Sequence, residues 1–354
     1  MGAHARPNRI HRTGVRIAMV ALVGAALPIT AGGLAQAATP GATHSADEND
    51  QQGGATTTTA DQKQGAQPQF QSAQAGQHAV KGRAVGAPDA KDQDAPQINA
   101  DHAFLLDARD GSQERALWGG AKADESVSMA STTKIMTALV VLKHPEWLNH
   151  QITVKQEYRD YVQKVGGSTA DLQTGDRLTV EQLLHAMLIP SGDDAAMALA
   201  DNFGSGATVD ARIADFVNQM NVEARQLSLT GTQFDSFDGI SHGNNHSTAR
   251  DLAKLGQRAM LQPVFADVVK KTQFKTEAPA ANGRTRYYTW NTTNKLLSSY
   301  DGALGIKTGS GPEAGYAVVF AAERDNRTLV GAILADDSGR FDDATKMLDW
   351  GFAH

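Results

Sequence analysis

Strand-like apolar runs stand at both ends of residues 98–354, and helical periodicities fill the middle. This arrangement constrains the fold more than any other feature of the chain. Residues 103–106 read as a strand, Asp110-Gly111 as a turn, and 116–118 as the returning strand. Near the other end, the apolar runs 316–322 and 328–335 flank Arg324-Asp325-Asn326 and read as a second hairpin. Between them, apolar spacing predicts helices over 132–142, 180–203, 209–227 and 247–260, and another over 341–352 closes the sequence. The expected class is α+β. It is an antiparallel sheet of about five strands drawn from both termini and flanked by helices, with an inserted, mostly helical subdomain. The cleft between the two parts is the expected ligand site.

The preceding residues have a different composition. Residues 38–97 are rich in Ala, Gln, Gly, Thr and Asp, and Phe70, Val80 and Val85 are their only larger apolar side chains. Too little apolar area is available there to offset the entropy of ordering, so a disordered linker is expected. Residues 1–37 carry Arg6, Arg9, Arg12 and Arg16, then an apolar run over 17–34, then Ala35-Gln36-Ala37. A basic head, an apolar middle and a small-x-small exit describe a secretory signal peptide, and an uncleaved anchor is the other reading. Pro28 and the Gly32-Gly33 pair make the run a poor spanning helix, so cleavage and export are expected. The folded domain is then expected to occupy 98–354.

Charge and cysteine content exclude other classes. Losing the four leader arginines would take the net charge from −6 to −10. Such an acidic chain lacks the clustered Lys and Arg that phosphate binding needs, which argues against a nucleic-acid partner. No cysteine is present, so neither disulfides nor thiolate chemistry are open to it.

Three short motifs carry chemistry. The first is Ser131-Thr132-Thr133-Lys134, leading into Ile135, Met136, Leu139, Val140 and Leu142. This places Ser131 at the first turn of a largely buried helix, with Lys134 on the same face and Cβ atoms roughly 5–6 Å apart. A helix N-terminus favours an alkoxide or oxyanion, and a lysine in apolar surroundings can accept a proton. A plain Ser cap beside a solvent-seeking lysine fits the same four residues. The second motif, Ser191-Gly192-Asp193, follows an apolar segment ending in Ile189-Pro190 and reads as a turn between two buried helical segments, either capping or functional. The third, Lys307-Thr308-Gly309, follows Leu304-Gly305-Ile306. A strand that ends in cation, hydroxyl and glycine can dock a carboxylate and let a substrate backbone lie close; an ordinary strand end is the alternative.

Their joint order, with sixty residues from Ser131 to Ser191 and 116 more to Lys307, resembles the penicillin-interacting serine enzymes. Wider stretches narrow the resemblance to low-molecular-mass D-alanyl-D-alanine carboxypeptidases. They include Met129-Ala130-Ser131-Thr132-Thr133-Lys134-Ile135-Met136, Leu188-Ile189-Pro190-Ser191-Gly192-Asp193-Asp194, Ser247-Thr248-Ala249-Arg250-Asp251-Leu252 and Leu348-Asp349-Trp350-Gly351-Phe352. The resemblance covers essentially all of 98–354 and implies a β-lactamase/transpeptidase-like fold. It further implies that Ser131 attacks the carbonyl between two terminal D-alanines, with Lys134 as base and Ser191 relaying a proton. Lys307 would support Ser191, and backbone N–H groups of Ser131 and Ser310 would form the oxyanion hole beside Gly309. Thr308 and Arg340 would hold the free carboxylate. The implied partners are peptidoglycan stem peptides ending in D-Ala-D-Ala, with β-lactam antibiotics as covalent inhibitors. No cofactor or metal is implied.

Two departures stand out. The family usually has asparagine where this chain has Asp193. An ionised Asp193 would favour protonated Lys134 or Lys307 and slow acylation or move its pH optimum; alternatively it makes only the hydrogen bond an asparagine would. Many relatives continue into a β-rich domain and a membrane-binding helix, whereas this sequence stops at His354. The expectation is a secreted or cell-wall-associated enzyme, or one held only by its N-terminus. His242 and His246, with Asp235 and Asp238 nearby, lie around Gly243-Asn244-Asn245 in a loop, a poor frame for metal ligands. D,D-endopeptidase, β-lactamase and weakly active penicillin-binding protein remain as alternatives. Nothing marks the glutamate that a fast β-lactamase uses to activate water.

Overall fold

The computed structural model describes residues 95–108 and 115–354. The leader, all but the last three residues of the 38–97 segment, and the Asp110-Gly111 turn lie outside the described residues. Along the described chain, β1 (His102–Asp107) and β2 (Arg115–Gly119) come first, then the short β3 (Val127–Ser128) and a 3₁₀ turn over Ala130–Thr133. Next are α1 (Lys134–Leu142), β4 (Gln151–Thr153), α2 (Gln156–Val165) and β5 (Arg177–Thr179). They are followed by α3 (Val180–Leu188), α4 (Asp193–Phe203), α5 (Val209–Gln226), β6 (His246–Ser247), α6 (Ala249–Met260) and α7 (Pro263–Val269). The last part holds the hairpin β7 (Gln273–Pro279) and β8 (Thr285–Asn291), then α8 (Leu296–Ser299), β9 (Ala303–Gly311), β10 (Gly315–Arg324), β11 (Arg327–Asp336) and α9 (Arg340–Ala353).

Five strands form one antiparallel sheet in the order β2-β1-β11-β10-β9, so the two ends of the domain pair with each other as expected. The apolar runs of β1, β10 and β11 are unbroken because helices cover both faces. Ala317, Val319 and Ala321 point into one core and Val318, Phe320 and Ala322 into the other, the period-two alternation of a strand. Helix α9 covers one face with Ala344, Met347 and Leu348, spaced three and four apart. Helix α6 covers the other with Leu252, Leu255 and Ala259. Gly256 permits this approach, since a Cβ there would stand 2.7 Å from Val319 Cγ1.

Local differences from the expected boundaries have plain causes. The 180–203 pattern divides into α3 and α4, because Pro190 lacks an N–H and Ser191 adopts a left-handed φ of 70°. The Lys307-Thr308-Gly309 motif lies inside β9 rather than at a strand end, since pairing with β10 continues to Gly311. The hairpin β7–β8 carried no clear signal, because its burial alternates weakly along exposed strands.

Candidate active site

Ser131 lies in the 3₁₀ turn just before α1, not in the first α-helical turn, and Lys134 opens the helix proper. Every residue of α1 is buried, which carries the lysine inside the protein with no exposed side-chain surface. Its Nζ donates to Ser131 Oγ at 2.8 Å and to the Asp238 carbonyl at 2.9 Å, and lies 2.5 Å from Asp193 Oδ1. The Lys134 and Asp193 side chains are therefore a fully desolvated pair. Its geometry must be maintained, because an isolated buried charge is far costlier than a paired one.

The segment under this turn was not found from sequence. Phe237 and Asp238 offer their carbonyls to Thr137 Oγ1 and Lys134 Nζ, and Gly239, at φ 101°, faces the Ala130–Ser131 peptide so closely that any Cβ would collide with it. Ala130 itself holds a left-handed φ of 45°. A strained residue beside a candidate nucleophile recurs at functional sites. The Asp238 carboxylate is fully buried, accepting from Tyr161 Oη at 2.7 Å and from the Ile240 N–H at 3.0 Å. Burial first, then the Asp193 charge, push its carboxyl up to about 6, while Lys134, Tyr161 and the Ile240 amide oppose the shift. The sequence had marked Asp238 only as a neighbour of the histidine loop.

The second group comes from β9 and the α3–α4 junction. Lys307 Nζ, almost fully buried, donates to Ser191 Oγ at 2.9 Å and to the Thr308 carbonyl at 2.8 Å. Desolvation, followed by the Lys134 and Arg340 charges, holds its amine well below the usual lysine range, with Asp193 pulling the other way. Lys134, Asp193, Lys307 and Arg340 thus lie within one electrostatic neighbourhood. β9 is an edge strand of the sheet and passes directly over the 3₁₀ turn: a Cβ on Gly309 would lie 3.0 Å from the Met129 carbonyl and 3.2 Å from the Ser131 N. A side chain at Gly309 would press tightly on the backbone of the turn, so glycine eases this close approach.

Thr308 Oγ1 and Thr293 Oγ1 are 2.6 Å apart, a second partner that the sequence did not disclose. Arg340, the first residue of α9, donates to the carbonyls of Gly309 and Ala317 and lies over the Tyr316 ring, 4.9 Å from its centre. Ser310 is the exposed residue after Gly309 on the same edge. The residues of the three motifs, with Ser310 and Arg340, are thereby gathered around the junction of α1, α4, β9 and α9. The histidine loop is different. Asp235 Oδ2 accepts the N–H groups of His242 at 2.9 Å and Asn244 at 2.7 Å, so it caps the loop, and no metal-binding cluster occurs among the described residues.

Comparison with known proteins decides the family. The family model for D-alanyl-D-alanine carboxypeptidases, peptidase S11, matches residues 89–338. The chain belongs to this family. A D-alanyl-D-alanine carboxypeptidase of Streptomyces sp. (strain K15) is 48% identical over 235 residues, covering 65% of this chain and 81% of the relative. The carboxypeptidase DacC of Escherichia coli (strain K12) is 32% identical over 269 residues, and the match covers 62% of its length. Among solved structures, the Streptomyces K15 DD-transpeptidase superposes with a TM-score of 0.70 at 45% identity, covering 73% of this chain and 99% of that one. A penicillin-binding protein homolog from Mycobacterium tuberculosis gives 0.61 at 28% identity. The sheet with its inserted helices is therefore the transpeptidase-type fold that the motifs implied.

Proposed function

We propose that this chain is a serine-type D-Ala-D-Ala carboxypeptidase that removes the terminal D-alanine from peptidoglycan stem peptides through an acyl-enzyme on Ser131. The observation that carries this reading is the contact of a buried lysine amine with a serine hydroxyl, 2.8 Å between Lys134 Nζ and Ser131 Oγ. Family membership supplies the substrate class. In this mechanism the Ser131 oxygen adds to the scissile carbonyl as its proton passes to Lys134. The resulting oxyanion lies between the N–H groups of Ser131 and Ser310, where one donor is worth about 3–4 kcal/mol of barrier. Ser191, bonded to Lys307, hands a proton to the departing amine and takes up in its place the proton held by Lys134, and the C–N bond breaks to release D-alanine. Water then hydrolyses the ester and restores the Ser131 hydroxyl.

The free carboxylate of the substrate docks at Thr308 and Arg340, whose guanidinium already lines the Gly309 side of β9. An acceptor amine in place of water would make the same acyl-enzyme a transpeptidation intermediate, a branch favoured by the likeness to the K15 DD-transpeptidase. The N-terminal residue pattern supports export, which places the enzyme with its polymer substrate outside the cytoplasm. The reading is tested by D-alanine release from a diacyl-L-Lys-D-Ala-D-Ala peptide. Wild type is expected to release it and to form a long-lived adduct with penicillin, and Ser131→Ala to do neither. Rapid turnover of penicillin without D-alanine release would overturn it in favour of a β-lactamase.

A further inference from the structure

A cavity of about 280 Å³ opens beside the Ser131 turn, between the paired strands β3 and β6, the 241–245 loop and the turn joining β9 to β10. Its walls carry serine hydroxyls, including Ser128 and Ser241, the amides of Asn244 and Asn245, the His246 ring and the carboxylate of Glu313, with no lysine or arginine. Ser128 lies three residues before Ser131, and Glu313 three residues after Ser310. Both segments assigned to the oxyanion hole therefore run directly into the walls of this cavity. Asn245 adds a third tie, its Nδ2 donating to Thr133 Oγ1 at 2.9 Å. Glu313 is solvent-exposed at the crest of the β9–β10 turn.

The direction of a bound peptide follows from the site already described. With its carboxylate at Thr308 and its scissile carbonyl at Ser310, a D-Ala-D-Ala terminus spans two positions of β9, about 7 Å at strand rise. Continued in the same sense along the free edge, the donor chain runs antiparallel to β9, past Gly311, towards Glu313. The residue preceding D-Ala-D-Ala then arrives at the cavity, which offers hydrogen-bond acceptors and a single carboxylate.

We propose that this cavity is a subsite for the side chain preceding D-Ala-D-Ala, and that Glu313 selects one ending in a free amine, as in a diamino acid. The inference rests on the D-Ala-D-Ala reading above and adds its side-chain specificity. An ammonium meeting an exposed carboxylate gains modestly, up to about fivefold in kcat/KM.

The test compares Nα-acetyl-L-Lys-D-Ala-D-Ala, with its ε-amine free, against the Nα,Nε-diacetyl peptide. Wild type is expected to prefer the free amine by that factor. In Glu313→Gln the ratio falls to about one, and in Glu313→Lys it inverts. A ratio that both variants leave unaltered, or a wild type without preference, overturns the subsite while D-alanine release continues. Release from neither peptide by wild type would instead sink the D-Ala-D-Ala reading, and the subsite with it.

Discussion

Lys134 faces two demands: it must take a proton from Ser131, yet it lies 2.5 Å from a buried carboxylate. An ammonium is the form that pairs with a carboxylate, whereas an amine is the form that accepts a proton. The Asp193→Asn change keeps an oxygen for Nζ but removes the charge, so it tests this conflict by making the neutral amine the favoured form of the buried lysine. The expected outcome is an acid limb of the kcat/KM–pH profile that differs from that of wild type, with faster acylation on that limb. Superimposable profiles would show that Asp193 acts only as a hydrogen-bond acceptor. Asp238 gives a second pH signature. Its carboxyl is raised to about 6 in the folded protein from 3.8, so the native state holds this proton more tightly than the unfolded chain. Its contribution to stability is complete below about pH 4 and is lost as pH rises through 6. Relative to Asp238→Asn, wild type should lose about 2–3 kcal/mol between pH 4 and 6.5, read from urea midpoints. A difference between the two proteins that stays constant with pH would refute this.

At the scale of elements, the site depends on surfaces that meet without side chains between them. Gly309 brings β9 over the Ser131 turn, Gly239 seats the loop beneath it, and Gly256 lets α6 lie on the sheet. Replacing a helical glycine by alanine normally gains up to about 1 kcal/mol. At Gly256 the new methyl would stand 2.7 Å from Val319 Cγ1 and 3.2 Å from Ile306 Cδ1, both in the core under the motif strand. Overpacking of this kind costs about 1–3 kcal/mol, so the clash outweighs the propensity gain. Gly256→Ala is expected to lower stability by about 1–2 kcal/mol in denaturant titration; an increase would mean that α6 can shift freely. The edge position of β9 has a functional consequence as well, since an unpaired strand edge is where a peptide backbone can add.

Across the whole molecule, the start of the domain is closed against its end. The N–H groups of Asn99 and Ala100 both donate to Asp343 Oδ2, at 2.8 and 3.0 Å, and β1 pairs along its full length with β11. Asp343 is fully buried in the first turn of α9, three residues beyond Arg340. Asp343→Ala would leave two amide donors without a partner, at a cost of about 1–3 kcal/mol. For a domain of this size that lowers the melting temperature by roughly 2–10 °C, while acylation by penicillin persists. Loss of acylation at a temperature where the variant is folded would instead tie this closure to the position of Arg340.

The architecture and the chemistry-bearing side chains were legible because both leave local marks. Apolar period distinguishes strands from helices, and Ser131-Thr132-Thr133-Lys134, Ser191-Gly192-Asp193 and Lys307-Thr308-Gly309 are contiguous words. Helix boundaries around Ser131 and Ser191 were less legible, since a left-handed φ at Ala130 or Ser191 is imposed by packing rather than by residue preference. What only the tertiary structure decided were the contacts between residues remote in sequence. They include the Asp238 carbonyl on Lys134, the Asp193 carboxylate at 2.5 Å from the same amine, Thr293 on Thr308, and Glu313 at the rim of a neighbouring cavity. A residue's type sets which bonds it can make, but burial and the groups delivered from other elements set which it does make. That is why Lys134 and the opposing Asp193 could both be named from sequence, whereas which of the two lysines Asp193 contacts was decided only in the folded protein.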